Sequence, residues 1–88
     1  MRVRVIISGV VHGVGFRYFV QGMARNLNLT GWVKNTQEGN VEALFQGTKE
    51  NVERMVASCR EGPPMAEVKK VDVVWEKQEE VFESFEIR

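Results

Sequence analysis

The sequence predicts an α+β domain in which one antiparallel sheet carries two helices on the same face. Two kinds of periodicity alternate along its 88 residues. Apolar residues at every second position are typical of half-buried strands, and apolar residues three and four positions apart are typical of amphipathic helices. The two patterns occur in the order β-α-β-β-α-β, and a short strand follows. A chain of this length forms a single domain, residues 1–88, with one modest core.

The first half of this order is a strand, a glycine-containing loop and a helix. Strand one covers about residues 2–9, because Val3, Val5 and Ile7 alternate with Arg2, Arg4 and Ile6. The helix that follows has its apolar residues at helical spacing: Phe16, Phe19, Val20, Met23, Ala24 and Leu27. We expect it to end near Asn28, because asparagine tolerates the left-handed conformation that commonly ends a helix.

A hairpin and a second helix complete the pattern. The stretch "LTGWVKNT" predicts strand two, "QEGN" predicts a turn with Gly39 at positive φ, and Val41, Ala43 and Phe45 alternate in strand three. Thr48 is a suitable cap for helix two, which "EGPP" ends. The remaining apolar positions are Val52, Met55, Val56 and Cys59 in helix two, Val71, Val73 and Trp75 in strand four, and Phe85 and Ile87 in the C-terminal strand.

The predicted element order is that of the ferredoxin-like split β-α-β fold, with strand order 4-1-3-2. Strands one and two are parallel in this arrangement, so their C-terminal ends lie at the same edge of the sheet. The glycine loop follows strand one and Asn35 ends strand two. We therefore expect the loop and Asn35 to be neighbours.

The loop "SGVVHGVGFRYF", residues 8–19, combines glycines with an arginine. Glycine permits a sharp backbone turn close to a ligand, and the planar guanidinium of Arg17 suits a carboxylate or a phosphate. Free N–H groups at the start of the helix would complete an anion site. The loop lacks the third glycine of a dinucleotide fingerprint and the GK[ST] of a nucleotide phosphate loop. Taken alone, a glycine-rich turn is more often only a tight connection.

Composition excludes several other classes of function. Twelve basic and twelve acidic residues cancel, so no net positive field favours nucleic acid or an anionic membrane. The single cysteine, Cys59, falls in a helical core stripe and predicts a buried, inert thiol rather than a nucleophile. No disulfide, membrane helix or signal peptide is indicated, which favours the cytoplasm. His12 has no second histidine or cysteine nearby, so we expect no metal site.

Two segments, "GVVHGVGFRYF" and "LTGWVKNTQEGNVEALFQG", together resemble the acylphosphatases, which hydrolyse the carboxyl-phosphate bond of acyl phosphates. The resemblance implies a monomeric, metal-free and cofactor-free hydrolase whose only partners are a small acyl phosphate and the inhibitors phosphate or sulfate. It further implies that Arg17 and the backbone of residues 13–17 hold the phosphate and that Asn35 positions the attacking water. The substrate-binding residues it implies are His12, Gly13, Val14, Gly15, Phe16 and Arg17.

Four residues depart from the usual pattern of that family. His12 stands where glutamine is most frequent, Lys34 where arginine is common, Asn28 where glycine commonly ends the helix, and Glu38 where aspartate often precedes glycine. None of them removes the arginine or the asparagine that the chemistry requires. His12 is the departure with the clearest chemical meaning, because a titratable ring beside the loop could alter the pH profile.

Three alternatives remain open from the sequence. The same fold could bind an anion without turnover, as a sensing module. It could serve as an interaction domain, since a related unit begins the large hydrogenase-maturation proteins. An RNA-binding role is the weakest, because the sheet carries no "GFGFV"-like segment and the net charge is zero.

Overall fold

The computed structural model describes residues 1–77 and 80–88. Five strands and two helices make up this part of the chain: β1 (Arg2–Val10), α1 (Phe16–Asn26), β2 (Thr30–Asn35), β3 (Val41–Gln46), α2 (Lys49–Glu61), β4 (Glu67–Glu76) and β5 (Phe85–Ile87). The predicted order of elements is confirmed, and every predicted strand and helix is present. None of the described helices is long and apolar enough to cross a membrane.

All five strands form one sheet in the order β4-β1-β3-β2-β5. The four strands of the predicted 4-1-3-2 order pair antiparallel, as expected. The C-terminal strand β5 then adds to the free edge of β2 in parallel. The sheet is therefore mixed, and the ferredoxin-like fold is extended by one strand at that edge.

Both helices cover the same face of the sheet, and the core lies between the two layers. In β1 the buried residues alternate with more exposed ones, which confirms the two-residue period of the sequence. The helices contribute their apolar stripes to the same layer. The largest side chains buried there are Phe16, Ile7, Phe45, Met55 and Phe85.

The ends of the helices follow from local sequence. Helix α1 ends at Asn26, and Asn28 adopts the left-handed conformation with φ 55°, as predicted. Helix α2 begins after Thr48, whose side-chain oxygen accepts a hydrogen bond of 3.3 Å from the Asn51 N–H. These caps determine where α1 ends and where α2 begins, and therefore where the chain passes between each helix and the adjacent strand.

Glycines at two positions allow strands to approach closely. Gly31 in β2 has φ 136°, and a Cβ at this position would collide with the Leu44 carbonyl oxygen of β3. Gly9 in β1 has φ 127° and lies at an irregularity in the pairing with β4, where a Cβ would collide with the Glu67 carbonyl oxygen. Only glycine fits these positions without displacing the paired backbone.

Candidate active site

The loop between β1 and α1 bends at two left-handed glycines. Gly13 has φ 70° and Gly15, which caps α1, has φ 77°. A Cβ at either position would meet no protein atom within 4 Å. Glycine is therefore favoured here by the backbone conformation and not by crowding, and both positions leave open space beside the loop.

The start of α1 offers backbone N–H groups to a ligand. Within the described part of the chain, the N–H groups of residues 13–17 make no backbone or side-chain hydrogen bond, and the first capping contact runs from the Phe19 N–H to the Gly15 carbonyl oxygen at 3.0 Å. No acidic side chain lies in the first turn. Unpaired N–H groups and the positive end of the helix dipole together favour an anion at this place.

Arg17 lies in the first turn of α1, and its guanidinium has no partner in the part of the chain that the structure describes. It is partly buried, and among residues 1–77 and 80–88 it forms neither an ion pair nor a side-chain hydrogen bond. Arg54 on α2, by contrast, pairs with Glu50 at 2.9 Å. The five N–H donors of Arg17 are therefore available to an anion that reaches the loop.

Asn35 is the last residue of β2 and faces the helix layer. Val33, two residues earlier, is fully buried on that face, and side chains two positions apart share a face of a strand. The Asn35 side chain is partly buried and has no hydrogen-bond partner in the portion of the chain that the structure describes. Its carboxamide therefore offers a free donor and a free acceptor at the end of the core.

The loop, Arg17 and Asn35 meet around one cavity of about 200 Å³. The residues that line it are Val11, Gly13, Gly15, Phe16, Arg17, Tyr18 and Asn35. The expected proximity of the glycine loop and Asn35 is confirmed. Five of the residues singled out in the sequence thus surround a single space.

Two of the residues predicted to bind substrate do not line this cavity. The His12 ring lies beside the β2–β3 turn, with Nε2 2.6 Å from the Asn40 carbonyl oxygen. Val14 is partly buried and packs against the core. Their backbone groups remain part of the loop, whereas their side chains point to other surroundings.

Sequence reasoning missed two of the lining residues. Val11 is fully buried and closes the base of the loop, and Tyr18 is 72% exposed in the first turn of α1. Tyr18 could have been noticed because it follows Arg17 and lies off the apolar stripe of the helix. Val11 gave no such signal, since apolar residues on either side of a turn are common.

The thiol of Cys59 is remote from this chemistry. It is fully buried in the core, and burial raises its pKa from 9.0 to about 12, against a smaller lowering by Arg60. A thiol with so little thiolate near neutral pH is a poor nucleophile. In the ranges 1–77 and 80–88, no three His, Cys, Asp or Glu residues are grouped so that they could hold a metal ion.

The acylphosphatase family model matches residues 3–87 of this chain. The chain belongs to the acylphosphatase family. An acylphosphatase of Syntrophotalea carbinolica is 44% identical over 88 residues, which cover all of this chain and 96% of the relative. Family membership therefore extends over nearly the whole chain.

Solved structures agree with this assignment. The crystal structure of acylphosphatase from Bacillus subtilis matches with a TM-score of 0.96 and 38% identity, covering 99% of this chain and 97% of that one. HypF from T. kodakarensis matches with a TM-score of 0.87 and 28% identity, but this chain covers only 12% of it. The same acylphosphatase-like unit therefore also occurs as a small part of a much larger protein.

Proposed function

We propose that this enzyme hydrolyses acyl phosphates to a carboxylate and inorganic phosphate, with Arg17 and the loop backbone holding the phosphoryl group and Asn35 positioning water. The observation that supports this assignment is the shared cavity, where a guanidinium, N–H groups and a carboxamide converge, all without partners among residues 1–77 and 80–88. The carboxamide adds to the anion cradle a group that can orient a water molecule.

The phosphoryl group carries the negative charge that the cradle fits. Backbone N–H groups of residues 13–17 donate to its oxygens, and the Arg17 guanidinium donates to two of them as a fork. These donors are held in place by the start of α1 and by the left-handed glycines. Because the donors are already oriented, they stabilise the charge that develops on the phosphoryl oxygens in the transition state.

Asn35 supplies orientation rather than basicity. Its Oδ1 accepts a hydrogen bond from the water, so that a water lone pair is directed at phosphorus. The water oxygen forms a bond to phosphorus while the bond from phosphorus to the acyl oxygen breaks, and the carboxylate leaves with that electron pair. The water proton passes to a phosphoryl oxygen of the substrate. Since a carboxylate is already a good leaving group, positioning and electrostatics suffice.

The substitution Asn35→Ala tests this division of roles. We expect kcat for benzoyl phosphate or acetyl phosphate to fall by on the order of 10²–10³, the usual loss for one well-placed polar group. The dissociation constant of inorganic phosphate should stay close to that of the wild type, because the cradle is intact. Asn51→Ala on α2 is a matched control, since Asn51 lies outside the cavity, and it should leave both quantities unchanged.

Other outcomes would assign the site differently. Full kcat in Asn35→Ala would place water orientation elsewhere, and a loss of phosphate affinity equal to that of Arg17→Ala would make Asn35 part of the cradle. Phosphate binding without any turnover in the wild type would indicate a sensing module.

We also propose that turnover needs no metal ion and that phosphate and sulfate compete with the substrate. Activity that is lost in a chelator and restored by a divalent ion would contradict the metal-free mechanism.

A further inference from the structure

A hydrogen bond joins the phosphate loop directly to the β2–β3 turn. The Nε2 atom of His12 lies 2.6 Å from the Asn40 carbonyl oxygen, although the two residues are 28 positions apart in the chain. A carbonyl oxygen only accepts hydrogen bonds, so Nε2 must carry the proton that is shared. Both the neutral ring in this tautomer and the charged ring can donate in this way.

The same carbonyl oxygen also accepts a hydrogen bond from the backbone next to Asn35. The Thr36 N–H donates to the Asn40 carbonyl oxygen at 2.9 Å, and the Asn40 N–H donates to the Thr36 side-chain oxygen at 3.1 Å. The Thr36 N–H belongs to the peptide bond that follows Asn35. The carbonyl of Asn40 is therefore shared by the His12 ring on one side and by the Asn35–Thr36 peptide on the other.

Sheet pairing brings these groups together but ends just before them. Ile7 of β1 and Asn35 of β2 both pair with Val41 of β3, which is the last register position of both ladders. Within the described residues, no ladder hydrogen bond beyond Val41 joins the loop to the turn. The contact between His12 and Asn40 continues the link at the point where the ladders stop.

We propose that His12 is a positioning residue, whose ring holds the phosphate loop and the Asn35 turn in the relative placement that in-line attack requires. The role rests on the proposed function, because it concerns the water that Asn35 orients. His12 does not line the cavity, so its side chain acts through the turn and not on the substrate. A misplacement of about 1 Å between reacting groups can cost up to 10²-fold in rate, so one exposed hydrogen bond at this place can affect turnover.

Three substitutions separate the donor from the bulk of the ring. His12→Gln places an amide N–H at about the reach of Nε2 and should keep kcat within about twofold of the wild type. His12→Asn keeps an amide that is too short, and His12→Ala removes the donor. Both should lower kcat by about 3- to 30-fold and leave the dissociation constant of inorganic phosphate within about twofold. Because His12 is exposed, all three variants should fold, which circular dichroism and thermal unfolding verify.

A double-mutant cycle with Asn35 is the decisive test. If the His12 ring acts through Asn35, His12→Ala should cause no further loss of kcat in an Asn35→Ala background. If the losses of kcat from the two substitutions multiply in the double variant, the proposal is overturned. Full kcat in His12→Ala would also overturn it, as would a loss of phosphate affinity in His12→Ala as large as its loss of kcat. Absence of turnover in the wild type would overturn the proposed function itself, whereas an active wild type with an equally active His12→Ala would overturn only the positioning role.

Discussion

Arg17 combines partial burial with the lack of an ion pair in the described part of the chain, whereas Arg60 and Lys69, which also lack one there, are exposed. The chain has as many acidic as basic side chains, and basic residues on the open face of the sheet form ion pairs, such as Arg4 with Glu76 at 2.8 Å. Arg17 is partly buried without such a contact among the described residues. Because this guanidinium is partly removed from water and has no anionic partner, pairing with an anion in the adjacent cavity gives a large favourable free energy.

The geometry of this guanidinium is open to a direct test. Arg17→Lys keeps the charge and loses the planar fork, so we expect kcat/KM to fall by on the order of 10²–10³. The free energy of unfolding should change by less than about 0.5 kcal/mol, because the side chain lies off the apolar stripe. Arg60→Lys, on α2 outside the cavity, is the matched control for loss of a guanidinium. Near-normal kinetics in Arg17→Lys would show that charge alone suffices.

Cys59 gives a prediction about stability at alkaline pH. Burial raises the pKa of its thiol to about 12, whereas the ordinary value is 9.0. Between these two values the thiol ionises only in the unfolded chain, so ionisation favours unfolding and stability falls as the pH rises from about 9 towards 12.

The measurement compares urea unfolding of the wild type and Cys59→Ala at pH 8 and pH 10.5. Between these pH values, the free energy of unfolding should fall by about 2 kcal/mol more in the wild type than in the variant, because only the wild type has the thiol. All other titrating groups are common to the two proteins and cancel in the difference. Equal losses would mean that the thiol ionises as readily in the folded protein as in the unfolded chain.

At the scale of elements, four glycines of the loop and the sheet form two pairs whose backbone requirements have different physical causes. The loop glycines, Gly13 and Gly15, adopt left-handed conformations in open space. The strand glycines, Gly9 and Gly31, lie against carbonyl oxygens of neighbouring strands. An added methyl group therefore strains only the local backbone in the loop, but displaces a paired strand in the sheet.

Alanine substitutions should separate these two groups. Gly15→Ala should lower the free energy of unfolding by about 1–2 kcal/mol, the cost of a left-handed non-glycine residue, and should also weaken phosphate binding. Gly39→Ala is its control, because Gly39 has φ 87° in open space outside the loop. It should have a similar cost in stability and no effect on phosphate affinity.

Gly31→Ala should have the largest effect on stability. The new methyl group meets the Leu44 carbonyl oxygen, and forcing β2 and β3 apart should cost more than about 3 kcal/mol. Urea unfolding of the three variants gives the ranking. A Gly31→Ala variant that is as stable as Gly39→Ala would show that the strands can separate at this point without loss.

The elements were predictable where periodicity and turn chemistry agree. Strand β1, helix α1 and the hairpin with Gly39 all follow from local patterns, and the proximity of the loop and Asn35 follows from topology. The parallel pairing of β5 was not predictable, because three residues carry no signal about their partner. Contacts distant in sequence fix it: the Phe85 ring stacks on Phe45 with centroids 5.5 Å apart, and the Arg88 N–H donates to the Val33 carbonyl oxygen at 2.8 Å.

The candidate site was also predictable only in part. Arg17 and Asn35 were identified from residue type, position and the family resemblance, and their convergence on one cavity needed only the fold. The bond from His12 to Asn40 depends on the path of two loops and on a side-chain rotamer. Neither of these is encoded in the local sequence, so the sequence alone does not predict this contact.

At the scale of the whole molecule, one buried aromatic ring anchors the C-terminal strand at the edge of the sheet. The Phe85 ring is buried against Phe45, and its backbone lies opposite Gly31 in the parallel pairing of β5 with β2. Phe85→Ala should lower the free energy of unfolding by about 3–5 kcal/mol, as is usual for a buried phenylalanine. At temperatures where the variant stays folded, its kcat should resemble that of the wild type, because β5 does not line the cavity. Val81→Ala is the control, since Val81 is 83% exposed and should leave stability unchanged.

The strand order sets the distance between the two sides of the cavity. Strand β3 lies between β1, which leads into the phosphate loop, and β2, which carries Asn35. Neighbouring strands are about 4.8 Å apart, so the two sides of the cavity are held about 10 Å apart by backbone hydrogen bonding. Backbone hydrogen bonding sets this spacing, so it does not depend on which side chains the strands carry. Many residues can therefore differ between this chain and the Bacillus subtilis acylphosphatase while the backbone, and with it the spacing of the strands beside the cavity, stays nearly the same.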